Sequence, residues 1–273
     1  MNGKMMGTAV RRAGAMLLAA ATALPAQSIA RRVAQVKDGT VRMSFASRSD
    51  VCGSGAGNIS TGNGRNRTYS SNGSSSSITS RHNEWEDDCE SGPVRVAIDV
   101  ADGMPISLRA YVGGRWRPGT DVTDLGLVPA KDAVDYLLDD LARADGKVAG
   151  EAIFPATIAD SVTVWPRLLT LAKDDSRTKS VRTQAVFWVS QAAGEKATAG
   201  LVDVVGDAAA DQDVRLQAVF ALSQRPKDEG IPALLDVAKG SKDPKIRKQA
   251  IFWLGQSGDP RAVAYFESVL VKK

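Results

Sequence analysis

The sequence predicts an α+β chain in which a small antiparallel β domain precedes a solenoid of stacked helical hairpins. Three observations lead there. One phrase occurs three times in the last third: Val181-Arg182-Thr183-Gln184-Ala185-Val186-Phe187-Trp188, Val214-Arg215-Leu216-Gln217-Ala218-Val219-Phe220-Ala221 and Ile246-Arg247-Lys248-Gln249-Ala250-Ile251-Phe252-Trp253. The copies are 33 and then 32 residues apart, and self-similarity at that period marks units that bury their apolar faces only by stacking. Residues 94–112 instead alternate apolar and polar side chains with the period of a strand. From Pro129 onward the apolar period becomes helical.

Residues 1–26 read as a secretory signal. Lys4, Arg11 and Arg12 form a basic start, and Ala13 to Leu24 is an apolar run too short to span a bilayer comfortably. Ala26 offers a cleavage site before Gln27, and Ala30 offers a second. No other stretch is long and apolar enough for a membrane helix, so the expected protein is exported, either periplasmic or secreted. The net charge of +4 falls to near balance without the three basic residues of the signal, at 32 basic against 31 acidic residues. That argues against a nucleic-acid partner. The one local basic cluster is Lys239, Lys242, Lys245, Arg247 and Lys248; it reads as a solvated turn, with an anionic partner as the alternative.

The β domain is expected over 27–128. After a short lead-in over 27–40, Val41, Met43 and Phe45 alternate with Arg42 and Ser44. Val94, Val96, Ile98 and Val100 alternate next, then Ile106, Leu108, Ala110 and Val112, with a hairpin turn at Asp102-Gly103. Val122 to Val128 closes the sheet. Residues 53–80 are dominated by Gly, Ser, Asn and Thr and read as a flexible loop, because they bury too little apolar surface to offset their ordering entropy. Cys52 and Cys89 are the only cysteines. In an exported protein they read as a disulfide, worth about 4 kcal/mol on chain-entropy grounds. A metal site would need further Cys or His, and only His82 is present. Asn58, Asn66 and Asn72 head N-glycosylation patterns that a segment so rich in Asn and Ser produces by chance. Glu84, Glu86, Asp87, Asp88 and Glu90 around Trp85 lack the spacing of a calcium loop and read as a solvated acidic turn.

The solenoid is expected over 129–273. Val134, Leu137, Leu138 and Leu141 set a first helix that Asp145-Gly146 stops. Ala152-Ile153-Phe154 is an earlier copy of the phrase, with Glu151 in the glutamine position and Pro155 in the tryptophan position. Proline inside a helix removes a hydrogen bond and clashes, so this unit is expected to kink. Second helices follow at Trp165 to Leu171, Ala197 to Val205, Ile231 to Ala238 and Pro260 to Val271.

The pattern Asp213-x-Arg215-x-x-Ala218-x-x-Ala221-Leu222 resembles short bacterial HEAT repeats, the type also found in bilin lyases, and Arg247-x-x-Ala250-x-x-Trp253-Leu254-Gly255-Gln256 repeats it. The resemblance covers roughly 147–273 and implies an α-solenoid. Such repeats serve scaffolds, adaptors, inhibitors and a few enzymes, so the likeness is specific for fold and unspecific for function. It also implies that the second helices line the concave side where partners bind, which points to Asp203, Asp236 and Tyr265.

The residues that recur read first as stacking residues. Asp211 and Asp243 each precede an arginine by four, and Asp–Arg contacts of Arg182, Arg215 and Arg247 between units would fix their register; an acidic partner is the alternative. Gln184, Gln217 and Gln249 are followed seven residues on by Gln191, Gln224 and Gln256. Each amide both donates and accepts, so the rows can bond within the stack or grip a peptide backbone. Trp188 and Trp253 read as core, or else as exposed anchors.

No catalytic constellation is present. His82 beside a Ser-rich segment makes no credible triad, and no phosphate loop, nucleophile elbow or HExxH occurs. No catalytic residue, metal site or cofactor is expected. The expected function is a non-catalytic scaffold with a protein partner, without nucleic acid or a membrane span. The alternatives are an enzyme or enzyme subunit with a lyase- or isomerase-like pocket at the β/solenoid junction, and a structural envelope protein. Nothing fixes the oligomeric state.

Overall fold

A computed structural model of the chain describes residues 28–55, 58–61, 67–70, 89–192 and 195–271. The expected signal over 1–26, Asn66, Asn72, His82, Trp85 and the acids Glu84, Glu86, Asp87 and Asp88 lie outside the described residues. The elements are α1 (Ile29–Ala34), β1 (Gly39–Phe45), β2 (Val51–Gly53), β3 (Asn58–Thr61), β4 (Arg67–Ser70), β5 (Glu90–Ser91), β6 (Val94–Ala101), β7 (Met104–Tyr111) and β8 (Val122–Leu127), followed by helices. The fold is α+β.

The stretch read as a lead-in contains α1. Ser28 caps it by accepting the Arg31 N–H with its hydroxyl, and Ile29 and Val33, four residues apart, are buried.

The first sheet has strand order β7-β6-β1-β8. The period-two reading places Val41, Met43 and Phe45 in the core at 0% exposure, facing Val96 and Ile98 at the same value. Asp102 and Gly103 both have positive φ, 50° and 76°, as the tight turn between β6 and β7 requires. One expectation is corrected here: β8 joins β1 in parallel, so the sheet is mixed. Residues 112–121 carry the chain from the outer edge of β7 across to the far side of β1. Thr40 N–H then meets Asp121 C=O at 2.9 Å. A hairpin cannot make that passage; a crossover of this length can.

A second correction concerns the Gly/Ser-rich segment. Part of 53–80 is ordered as a second sheet, β4-β3-β2-β5. Its anchor is Ile59, which is fully buried, and backbone pairing supplies what the polar side chains cannot. Cys52 and Cys89 form a disulfide, with Cα atoms 5.2 Å apart, beside the point where β2 pairs with β5. The two sheets meet backbone to backbone. A Cβ on Gly53 would come within 2.6 Å of Val112 C=O, and one on Gly113, whose φ is +74°, would collide with Gly53 C=O. Only glycine fits either place.

The helical part starts with α2 (Ala130–Asp135), which runs on through a π turn at Tyr136–Asp140 and a 3-10 turn at Leu141–Arg143. The degenerate unit is broken as its proline requires, into α3 (Val148–Glu151) and α4 (Ile153–Thr157). Three regular hairpins follow after α5 (Trp165–Ala172): α6 (Lys179–Ser190) with α7 (Glu195–Gly206), α8 (Gln212–Ser223) with α9 (Lys227–Gly240), and α10 (Pro244–Gln256) with α11 (Pro260–Val271). One apolar core runs from the sheet into the helices. The join is made partly by Glu151, whose carboxylate accepts the Leu108 N–H of edge strand β7 at 2.7 Å. Arg48 adds a bond to Thr157 C=O at 2.9 Å. A sheet edge left bare would be an aggregation template; here a carboxylate from the first repeat covers part of it.

Two predictions follow from these contacts. Glu151→Ala leaves a backbone donor without its charged acceptor and lowers stability by about 2 kcal/mol, whereas Glu151→Gln retains an acceptor and most of the stability; urea midpoints separate the two. The second concerns Asp99 on β6. Its side-chain bond to Arg109 leads, burial opposes, and Ser107 and Thr40 add further donors; together they hold its carboxyl down to about 2. A carboxyl lowered in the folded state contributes stability above its ordinary value of 3.8, and loses it as pH falls towards 2. Thermal midpoints between pH 5 and pH 2.5 therefore fall more steeply for the parent than for Asp99→Asn.

Candidate partner-binding surface

The residues that recur in the sequence separate into two groups once the hairpins are stacked. The first group is turned into the stack. Arg182 on α6 pairs with Asp211 at the head of α8 and, within its own unit, with Asp175 at 2.7 Å. One unit on, Arg215 on α8 pairs with Asp243 at the head of α10 at 3.1 Å and donates to Val205 C=O at 3.0 Å. Each pair thus joins an arginine to the acid of the following unit. Burial works against the Asp243 carboxylate, but the Lys245 and Ile246 N–H groups, the Gln212 amide and Arg215 outweigh it and hold the group below its ordinary range. Arg247 has the same place on α10, and it donates to Ser241 C=O at 2.8 Å.

The aromatic residues also bridge units. Trp188 stacks on Phe154 of the unit before, with centroids 4.9 Å apart. Trp253 tilts against Phe220 of the unit before at 5.1 Å. Among the glutamines, Gln184 lies against Gly150, close enough that a Cβ there would meet its amide. Gln191 and Gln224 each donate to the preceding serine hydroxyl, Ser190 at 2.8 Å and Ser223 at 3.2 Å. Gln217 and Gln249 are half-buried, and Gln256 is exposed.

The second group faces outward. Asp203 on α7 and Asp236 on α9 are exposed at matching positions, 33 residues apart. Among the described residues neither carboxylate enters an ion pair. Tyr265 on α11 is half-buried; its ring packs on Phe266 at 5.6 Å and lies 5.7 Å from the Lys239 ammonium.

A third feature was not legible as a site. Arg225 follows Gln224 and is buried between units, donating to Thr198 Oγ1 at 2.8 Å and to the backbone carbonyls of Ser190 and Ala192. Glu229 closes the cluster at 2.8 Å from Arg225; the Thr198 hydroxyl and then Arg225 hold its carboxyl below the usual range. One unit further on the arginine position is Ser257 and the threonine position is Ile231. There the groove stays open as a cavity of about 220 Å³, lined by Ser223, Arg225, Ile231, Leu234, Trp253 and Ser257. Among the described residues the buried Trp253 Nε1–H on its wall has no partner. The signal in the sequence was a charged residue at a position that holds Ala192 and Ser257 in the neighbouring copies.

With this geometry in place, the comparison with known families is specific for the second half of the solenoid. Residues 198–273 match the family of HEAT repeats. This part of the chain is similar to HEAT repeats. The match supports a HEAT-repeat protein and starts inside α7, so it spans the two hairpins with the plainest copies of the phrase. No curated protein matches the chain. HEAT repeats typically mediate protein interaction. Among the described residues, no helix is long and apolar enough to cross a membrane.

The stacking contacts carry a prediction that compares two copies of one position. Arg215→Ala breaks a partly buried ion pair and a carbonyl bond, and costs about 2 kcal/mol. Arg247→Ala loses a single bond to a carbonyl and costs less than about 1 kcal/mol. Denaturant midpoints of the two variants, measured side by side, check the order.

Proposed function

We propose that this protein is an exported, non-catalytic scaffold that holds a protein partner along its second helices. Asp203, Asp236 and Tyr265 are the contact residues of this reading, and Arg182 and Arg215 are its internal register. The observation that carries it is the division of labour among repeated residues. Arg182 and Arg215 are used up between units, while Asp203 and Asp236 recur with the same period and stay exposed. A repeated carboxylate that does no stacking work is available to donors on a partner. The cavity beside Trp253 and Ser257 adds a socket for one partner side chain.

Export is supported by the Cys52–Cys89 disulfide, since such bonds persist in oxidising compartments. Within this reading α1 favours the earlier cleavage site: cleavage after Ala26 leaves Ser28 and Ile29 in the mature chain. Cleavage after Ala30 would delete that cap and the buried Ile29. Residues 27–128 and 129–273 are then the two working parts, the first sealing one end of the solenoid.

The test is affinity capture with the tagged full chain in its native host, comparing the parent with Asp203→Lys/Asp236→Lys. The parent is expected to retain a reproducible protein partner and the double variant to lose it at least about tenfold, with an unchanged thermal midpoint. Failure of the parent to retain any partner sinks the scaffold reading. N-terminal sequencing of the mature protein is expected to begin at Gln27; a start at Arg31 or an unprocessed Met1 would refute the cleavage proposed.

A further inference from the structure

The last hairpin presents to solvent what the earlier hairpins bury. Val186, Val219 and Ile251 are the same position in three successive copies, and their exposures are 0%, 0% and 40%. Phe187 and Phe220 are half-buried, while their counterpart Phe252 is 51% exposed. On α11, Val263, Val269 and Leu270 are exposed as well, at 52%, 55% and 75%. A solenoid end that faces only water carries a polar outer surface; this end is apolar.

The two internal interfaces show what such a face accepts. In each, the following unit supplies an acid at the head of its first helix, Asp211 to Arg182 and Asp243 to Arg215. It also lays that helix over Val186 or Val219, and where it carries a tryptophan it sets the ring against the preceding phenylalanine, as Trp253 does on Phe220. Among the described residues no acid of a following unit meets Arg247, and Ile251 and Phe252 stay uncovered. Charge completes the description. Over 239–273 eight lysines and arginines stand against three carboxylates. Two of those three, Asp243 and Asp259, are already paired, with Arg215 and Arg261. Among the described residues Lys239, Lys242, Lys245, Arg247 and Lys248 enter no salt bridge.

We infer that the α10/α11 end is a docking surface for a helix of another protein that begins with an acidic residue and carries an apolar face, laid on as the next unit of the stack. A second copy of this chain is a poor occupant. Its own open end is equally basic, so end-to-end contact sets like charges together. The other end of its solenoid is already covered by β7, through α3 and the Glu151–Leu108 bond. The inference rests on the scaffold reading but concerns a surface apart from Asp203 and Asp236.

The test uses the full chain in its native host with p-benzoyl-phenylalanine in place of Phe252, and in parallel in place of Asp203, with cross-linked segments identified by mass spectrometry. Position 252 is expected to capture a helical segment of another protein with Asp or Glu at its N-terminal end. Arg247→Glu is expected to lower that yield at least about tenfold, to leave the yield at position 203 unchanged, and to lower the thermal midpoint no more than Arg247→Ala, which loses the same bond to Ser241 C=O. Arg247→Ala in turn is expected to lower the yield at 252 as well. Capture at 203 with nothing at 252 overturns the end-face inference and leaves the scaffold reading standing. So does capture at 252 of a second copy or of a segment without the acid, or a yield that Arg247→Glu does not reduce. Absence of capture at both positions overturns both readings.

Discussion

A helix that carries apolar side chains round most of its circumference is stable only between neighbours, because its own turns cannot hide them. That constraint organises this molecule. Val181, Ala185 and Val189 of α6 are buried together with Val186, which lies on a different flank, so α6 needs cover from more than one side. α8 repeats the demand with Val214, Ala218, Val219 and Leu222. Each hairpin is therefore both a layer of core and a request for the next layer. The sheet answers the request at one end. Nothing within the described residues answers it at the other.

Apolar stacking alone would tolerate sliding by a helical turn. The ion pairs remove that freedom. Arg182 reaches an acid at the start of the next first helix, and so does Arg215, and a shift of one turn would strand a buried guanidinium. Arg182 has only 7% of its side chain exposed, and an unpaired charge there is costly. The glycines play the same part between the two sheets, where Gly53 and Gly113 permit an approach that any side chain would block.

Much of the architecture could be read from the residues, because periodicity and repetition are local or self-referential signals. The alternation of Val94 to Val100, the turn at Asp102-Gly103 and the phrase around Gln184, Gln217 and Gln249 each declare an element without reference to the rest. What escaped depended on tertiary neighbours. β8 lies parallel to β1 because a crossover of irregular chain leads there, and irregular chain has no pattern. The strands β3 and β4 are held by backbone pairing and by Ile59, so a composition of Gly, Ser and Asn hid them. On the candidate surface, the outward Asp203 and Asp236 were within reach of the repeat period. The Arg225 cluster was not, because its meaning lies in carbonyls of residues some 33 positions earlier.

The cavity beside Ser257 gains a different sense from its place in the array. One level earlier the equivalent space is occupied by an arginine that the same chain supplies. The hollow is thus the space that one copy fills with Arg225 and the next, with Ser257, leaves open. An array of near-identical units can in this way make a recess of defined size with a single replacement, since every wall has already been shaped to hold something at the level before. A recess of this kind arises by subtraction, and its floor comes ready folded.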